Sequence, residues 1–366
     1  MTSDRASDGG PSQPAHEHPA RLNVGVVGAG RVGTALAVAL SRAGHTVVGA
    51  SAISAVSRER IKTYLPGTPV LQPEDVVAAA DLVLLTVPDD ALSGLVRGLV
   101  ATGVPLTGRM LAHASGLHGL AVLEPAVELG ALPLALHPVM TFTGRPDDAD
   151  RLAGITFGVT APAVLRPAAE VLVMEMGGEP AFIAEADRGL YHAALAGAAN
   201  HLVTQVVQAA DLLTRAGVGQ PSRMLGPLLS AALDNALRLG DAALTGPVAR
   251  GDAETVAGHL DALRADAPEA LPAYLALARL TATRALASGM LTAADAQRPS
   301  MCSPRRRYDS AQPGEGAGRH GNTGPHAGPD PQGPGRGQGG AARSGRVGAD
   351  HGGAARRSPL AASAGS

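Results

Sequence analysis

Between Arg21 and His45 the chain reads RLNVGVVGAGRVGTALAVALSRAGH, and this stretch constrains what can be built after it. Leu22–Val27 is a short apolar run with β-branched residues, the pattern of a strand buried on both faces. Gly28, Ala29, Gly30, Arg31, Val32 and Gly33 follow at once as G-x-G-x-x-G, and Thr34–Arg42 continues with helical periodicity until Gly44. A glycine motif gains meaning from such a strand–turn–helix context. Gly28 permits the tight turn, Gly30 lets the main chain approach a pyrophosphate, and Gly33 lets helix and strand pack closely. The helix start then offers free N–H groups and a positive dipole end to the phosphates. A dinucleotide is therefore expected here, with Gly28, Gly30, Arg31, Val32 and Gly33 at its diphosphate.

From this point strands and helices alternate. Strands are expected at Thr46–Ala50, Pro69–Leu71, Asp81–Val87, Met110–Ala112, Leu134–Leu136, Ile155–Val159 and Ala181–Ile183. Helices should fill Arg58–Tyr64, Pro73–Ala79, Ala91–Leu99, Leu117–Leu129 and Pro167–Met176. The alternation predicts an α/β fold with a mostly parallel, doubly wound sheet, which binds ligands at the carboxyl ends of its strands. After about Glu185 the strand signals stop. Ala186–Ala216, Ser222–Leu239, Ala253–Arg264 and Pro268–Ser288 read as an all-α second domain. The expected divisions are a leader without fixed structure (1–20), a dinucleotide domain (21–183), a helical domain (184–298) and a tail (299–366). The helical domain is rich in Ala and Leu and is expected to form a homodimer. The tail is dominated by Gly, Pro, Ala, Arg and Ser, too little apolar surface to offset ordering entropy. A sharper reading makes it a frameshift product. Pro299–Pro304, written in GC-rich codons and read from the third base of the proline codon, gives Leu-Asp-Val-Leu-Ala, which continues the helix begun near Thr292.

Composition narrows the class. Hydrophobic residues are 45% of the chain but aromatics only 2%, so Ala, Val and Leu must build the core. A net charge of −2 argues against nucleic acid or an anionic membrane surface as partner. Cys302 is the only cysteine, which excludes a disulfide framework and a cysteine zinc site. No H-E-x-x-H or similar spacing points to a metal. Met1–Ala20 lacks the apolar stretch of a secretion signal, and polar residues interrupt Leu190–Leu213, so no membrane span is expected. These features together predict a cytoplasmic protein. Lys62 is the only lysine, so no lysine in the second half of the chain can serve as a catalytic acid.

Sites for NAD commonly carry Asp or Glu at the end of the second strand, to hold the ribose 2′-OH. Here that position reads Val47-Val48-Gly49-Ala50-Ser51, with no carboxylate to repel a 2′-phosphate. Ser51, Ser57 and Arg58 offer hydroxyl and guanidinium donors instead, so NADP is expected and NAD is the second choice. Val87 and Pro88 end the strand that should run beside the cofactor, and Asp89 or Asp90 is expected to cap the next helix.

Two histidines should lie on the same rim, His113 in His113-Ala114-Ser115-Gly116 and His137 in His137-Pro138. Imidazole exchanges protons near neutral pH, and hydride transfer to a carbonyl or imine needs such a donor beside the reacting carbon. His113 can equally stabilise its turn. Ser115 is a candidate to hydrogen-bond substrate. On the first long helix of the second domain, His192 and Asn200 lie about 12 Å apart in rise and on broadly one side. His192 is the preferred general acid/base, Asn200 and Ser115 orient substrate, and His137 is the alternate proton donor. At an interface, His192 or His201 would instead bond another helix.

GAGRVG, TVPDDAL at Thr86–Leu92, HASG at His113, LHPVMTF at Leu136–Phe142 and YHAALAGAAN at Tyr191–Asn200 resemble, in this order, the Rossmann-like family carrying a domain of unknown function numbered 2520 (DUF2520). The resemblance covers about residues 21–297. It implies kinship with the 6-phosphogluconate dehydrogenase and ketopantoate reductase superfamily, hence an NAD(P) domain followed by a helical domain that often dimerises. Ketopantoate reductase uses a lysine and an asparagine on the corresponding helix. Here the resemblance puts His192 roughly at the lysine, with Asn200 retained in kind. The function expected is NADP-dependent hydride transfer on a small polar, carboxylate-bearing substrate in the interdomain cleft. The alternative is a dinucleotide-binding sensor or interaction protein without turnover.

Overall fold

The apolar run at the start forms β1 (Asn23–Val27), which passes through Gly28–Gly30 into α1 (Arg31–Arg42). β2 (Thr46–Ser51), α2 (Ala55–Tyr64), α3 (Pro73–Ala79) and β3 (Leu82–Leu85) follow, then α4 (Asp89–Thr102), β4 (Met110–His113), α5 (Glu124–Val127) and β5 (Leu132–Pro138). β6 (Thr156–Thr160), α6 (Arg166–Glu175) and β7 (Glu179–Phe182) complete the α/β part. This computed structural model describes residues 21–292. The expected leader, tail and frameshift at Pro299 lie outside the described residues.

The seven strands form one sheet in the order β2-β1-β3-β4-β5-β6-β7. β2 and β3 flank β1 on opposite sides, so the strand order reverses at the carboxyl ends of β1 and β3, where a doubly wound sheet opens its crevice. Successive residues of β1 and β3 feed opposite layers. Val24, Val26, Leu82 and Leu84 join α1 and α6 in one core, while Val27, Val83 and Leu85 join α3 and α4 in the other. Burial on both faces explains why these strands read as unbroken apolar runs. All pairs are parallel except β5·β6, so β6 and β7 run against the rest.

Four expectations are corrected. Pro69–Leu71 is no strand but a single bridge from Val70 to Ala50, because Pro69 lacks an N–H and Pro73 already starts α3. Leu117–Leu129 is not one helix. It is a turn, a single 3₁₀ turn at Ala121–Leu123 and the short α5, since Pro125 cannot sit beyond the first turn of a longer helix. Ala186–Ala216 is also interrupted: α7 (Arg188–Ala196) and α8 (Leu202–Arg215) are joined by a π-helical turn at Gly197–His201. Asp89 and Asp90 lie inside the first turn of α4, whose N-cap is Pro88, and neither caps it through a side chain. Every described element after β7 is helical, ending with α9 (Pro221–Leu239), α10 (Ala253–Asp266) and α11 (Leu271–Ala287).

Candidate active site

The glycine turn is shaped to receive a diphosphate. Gly28 has φ of 90°, and a Cβ there would lie 2.8 Å from Val87 Cγ1. At Gly33 a Cβ would collide with Thr86 Oγ1 and come within 2.9 Å of the Gly28 carbonyl oxygen. Thr86 Oγ1 donates to that same carbonyl at 2.8 Å, which ties β3 to the turn. Gly30, by contrast, is not crowded: a Cβ there would meet only the Gly28 carbonyl oxygen, at an ordinary contact distance of 3.8 Å. No side chain caps α1, and its first turn holds no acidic residue, so its leading amides are available to an anion.

Beside the turn is a cavity of about 720 Å³, lined in part by Gly28, Ser51, Arg58, Leu71, Val87 and Leu95. Its size and mixed apolar and polar lining suit an adenosine. Ser51 is buried at its edge. Arg58 Nη2 donates to the Ile53 carbonyl at 2.6 Å, which holds the guanidinium near the rim. Ser57 sits in the first turn of α2, where its N–H donates to Ser54 Oγ. Arg31 is exposed and turns elsewhere, lining a smaller cavity of about 210 Å³ with Arg60 and Gly144. Val32 packs against the α1 core. The residues present therefore fit a pyridine dinucleotide: the main-chain amides of the turn could take the diphosphate, and Ser51 and Arg58 on the adjoining cavity could take an adenosine ribose.

The second set of polar groups gathers past β4 and β5. His113 is fully buried: Nδ1 accepts from Ser115 N–H at 3.2 Å, leaving Nε2–H to donate to the Gly119 carbonyl at 2.8 Å. It is a neutral, turn-holding histidine. Ser115 is also buried, and its Oγ accepts the His118 N–H at 3.0 Å, so it shapes the turn. His137 Nδ1 lies 2.7 Å from the Tyr191 hydroxyl. The ring of His192, also from α7, stands edge-on to His137 with centroids 6.5 Å apart. Gly116 makes room for this meeting, since a Cβ there would sit 2.8 Å from His192 Cδ2 and 3.0 Å from His137 Nε2. Gly158 makes room for the Tyr191 hydroxyl in the same way. Asn200 is not brought to this cluster. It lies in the π-helical turn with its side chain exposed, and its carbonyl accepts from Thr204.

Two contributors escaped the sequence reading. Tyr191 was visible only as part of a motif. Arg188 opens α7 and is 2% exposed, with its guanidinium bonded to Thr160 Oγ1 and to the Ala135, Gly158, Ser115 and Gly116 carbonyls. The spacing Arg188, Tyr191, His192 puts all three on one helical face, a signal the chain does carry. Glu185, in the turn before α7, accepts from Leu120 N–H at 2.6 Å and Ala121 N–H at 3.1 Å, which fixes the turn after β4 against the start of α7.

Burial pushes His113 down to about 4, and burial followed by the Arg188 charge does the same to His137. Both rings are therefore neutral near pH 7. The folded values lie below the unfolded value near 6.5, so the unfolded chain takes up more protons between these limits. Stability is full above pH ~6.5 and falls as pH drops toward 4, with His113 alone accounting for ~3 kcal/mol. Thermal unfolding across pH 4–8 is expected to show this loss, and a flat profile over that window would contradict the buried neutral pair.

A model of the Rossmann-like domain matches residues 9–138, and one of the domain of unknown function DUF2520 matches residues 155–281. Glycerol-3-phosphate dehydrogenase [NAD(P)+] from Anaeromyxobacter sp. (strain K) is 34% identical over 154 residues, 38% of this chain and 46% of that protein. The chain thus spans about half the length of the curated relatives it matches. Among solved structures, a candidate NADP oxidoreductase from Bacteroides fragilis superposes with a TM-score of 0.62 at 22% identity, covering 72% of this chain and 98% of the other. An imine reductase from Myxococcus stipitatus in complex with NADP+ superposes with a TM-score of 0.55 at 16% identity, covering 74% and 100%. At these identities the likeness is one of fold: an α/β domain followed by a helical one. No helix among the described residues is long and apolar enough to cross a membrane.

Proposed function

This chain is a Rossmann-like protein with a DUF2520 domain, and on that premise we propose that it is an NADP-dependent oxidoreductase acting on a small polar, carboxylate-bearing substrate. The carrying observation is that an uncapped glycine turn and a His137–Tyr191–His192 cluster share the carboxyl rim of one sheet. When bound, the reduced nicotinamide supplies hydride. The chain's own residues then have two tasks, to hold the substrate heteroatom near Gly116 and to give it a proton. NADP is preferred over NAD because β2 ends in Ser51 with no carboxylate following, and Arg58 borders the adenosine-sized cavity. Ser115 is buried in its turn, so it supports the site's shape; Asn200 would join the site only from a different helix arrangement.

The relatives support this class. One is named for NAD(P)+-linked dehydrogenation and one superposed structure holds NADP+. Following NADPH absorbance against a panel of 2-oxo acids, imines and aldehydes tests the proposal. Tight NADPH binding with no oxidation across the panel would favour a sensor. His192→Ala, which opens the space beside His137 Nε2 where the substrate would be held, is expected to keep NADP+ affinity within about twofold and to lower turnover ~10²-fold or more; unchanged turnover removes His192 from the site.

A homodimer through the helical domain belongs to the same proposal. Val203 and Val207 on α8, with Met224, Leu228 and Leu237 on α9, expose large apolar side chains that a second copy would cover. Light scattering on the full chain is expected to give twice the monomer mass, and Leu228→Asp to shift it toward the monomer.

A further inference from the structure

Arg188 is a buried cation with an unusual set of partners. All five of its acceptors are neutral oxygens, it takes part in none of the ion pairs among the described residues, and the Glu185 charge acts on it only from beyond ion-pairing distance. Buried charges are ordinarily paired, since an uncompensated one costs several kcal/mol. The guanidinium carbon lies 5.7 Å from the centroid of the Tyr191 ring. The Tyr191 hydroxyl has one polar partner, His137 Nδ1, at 2.7 Å. His137 Nε2 is on the opposite side of its ring, over Gly116 and beside His192, and it makes no hydrogen bond to the described protein.

We propose that Tyr191 is the proton reservoir of this site: as His137 Nε2–H passes its proton to a substrate heteroatom, the Tyr191 O–H passes its own to His137 Nδ1, and buried Arg188 is the standing counter-charge of the phenolate so formed. The step conserves protons. One N–H bond breaks at Nε2 while one forms at Nδ1, the imidazole stays neutral throughout, and the negative charge ends on the phenol oxygen. Solvent then reprotonates the half-buried phenolate. The proposal rests on the oxidoreductase reading for the hydride that reaches the substrate carbon, which the reduced nicotinamide dinucleotide supplies.

The polarity of the pair follows from acid strength. A phenol donates to an imidazole nitrogen more readily than the reverse, and a donating Nδ1–H would leave the phenol proton with no partner. Burial raises Tyr191 while Arg188 opposes that rise, and burial with the Arg188 charge keeps His137 neutral. The charged and titratable groups around the pair are Arg188 and His192 on α7, Asp89 at the start of α4, and Glu185, which acts on Arg188. A neutral relay is suited to this setting, since an imidazolium beside Arg188 would place two like charges in one buried pocket.

The test uses the full chain labelled with ¹⁵N-histidine, with His137 assigned by comparison with His137→Gln. Long-range ¹H–¹⁵N spectra at pH 7 are expected to show His137 neutral and protonated at Nε2, and Tyr191→Phe is expected to shift it toward a mixture of tautomers. A cationic ring, a proton fixed on Nδ1, or no response to Tyr191→Phe would overturn the relay. Ultraviolet titration, taken as the difference between wild type and Tyr191→Phe, reads the phenol itself. With Arg188→Gln as the background its midpoint is expected to rise ~1 pH unit or more, and an unmoved midpoint would overturn the counter-charge. If Arg188→Gln does not fold, the tautomer measurement still decides the relay. NADP+ affinity, measured separately by calorimetry, is expected to be the same in Tyr191→Phe. Wild type that binds no NADP+ would defeat the oxidoreductase reading while leaving the tautomer result to judge the pair.

Discussion

Gly33→Ala is expected to weaken NADP+ binding ~10²-fold or more, about 3 kcal/mol in binding free energy. The added methyl has nowhere to go. It would collide with Thr86 Oγ1, which is held on the Gly28 carbonyl, and it would sit 2.9 Å from that carbonyl and 3.0 Å from Val26 Cγ1. Two of the three obstacles are backbone or core atoms that cannot swing aside. The start of α1 must therefore move away from β1, and the amides that should meet the diphosphate move with it. Adding Thr86→Ala relieves only one collision, so the double variant is expected to recover a small part of the affinity. Calorimetry with NADP+ measures both. Full affinity in Gly33→Ala would mean that the dinucleotide does not use this turn.

Arg188→Ala is expected to destabilise the folded chain by ~3–5 kcal/mol and to lower the melting temperature by roughly 10 °C, read by circular dichroism. The loss comes from what is left behind. Four main-chain carbonyls, on β5, on β6 and in the turn after β4, and the Thr160 hydroxyl all bond to this guanidinium. Without it these buried acceptors lose a donor that only water entering the vacated space could replace. Arg188→Lys should recover only a fraction, because an ammonium cannot reach five acceptors spread over a planar fork. Melting within a degree or two of wild type in Arg188→Ala would show that water replaces the guanidinium freely.

The two expectations differ in how far the sequence announced them. Gly33 could be assigned its job from spacing alone, because the strand, the turn and the helix that need it are neighbours in the chain. Arg188 could not. An arginine at the start of an Ala-rich helix reads as a solvated charge, and the acceptors that bury it lie 28 to 73 residues away. Tyr191 and His137 are 54 residues apart, so their 2.7 Å contact has no local trace either. His192 stands out on an apolar helix, which points it to the cleft, and it does reach His137. The same rule points Asn200 to the cleft, yet its side chain is exposed in the π-helical turn. Spacing along an assumed regular helix carries no information about which face a neighbour will cover.

By itself the sequence determined the parts of this protein that depend on residues close in the chain. It set the apolar strands, the glycine turn with α1 behind it, the switch from alternating elements to helices after β7, and the absence of a carboxylate at the end of β2. Short-range sterics and periodic burial impose these, and both can be read one segment at a time. Only the tertiary structure decided that β6 runs against β5, that His113 and Ser115 are spent on holding a turn, and that a buried guanidinium bonded to neutral oxygens stands beside a tyrosine–histidine pair. Those outcomes depend on which distant surfaces meet, and on a buried charge having its donors satisfied by whatever oxygens that meeting supplies.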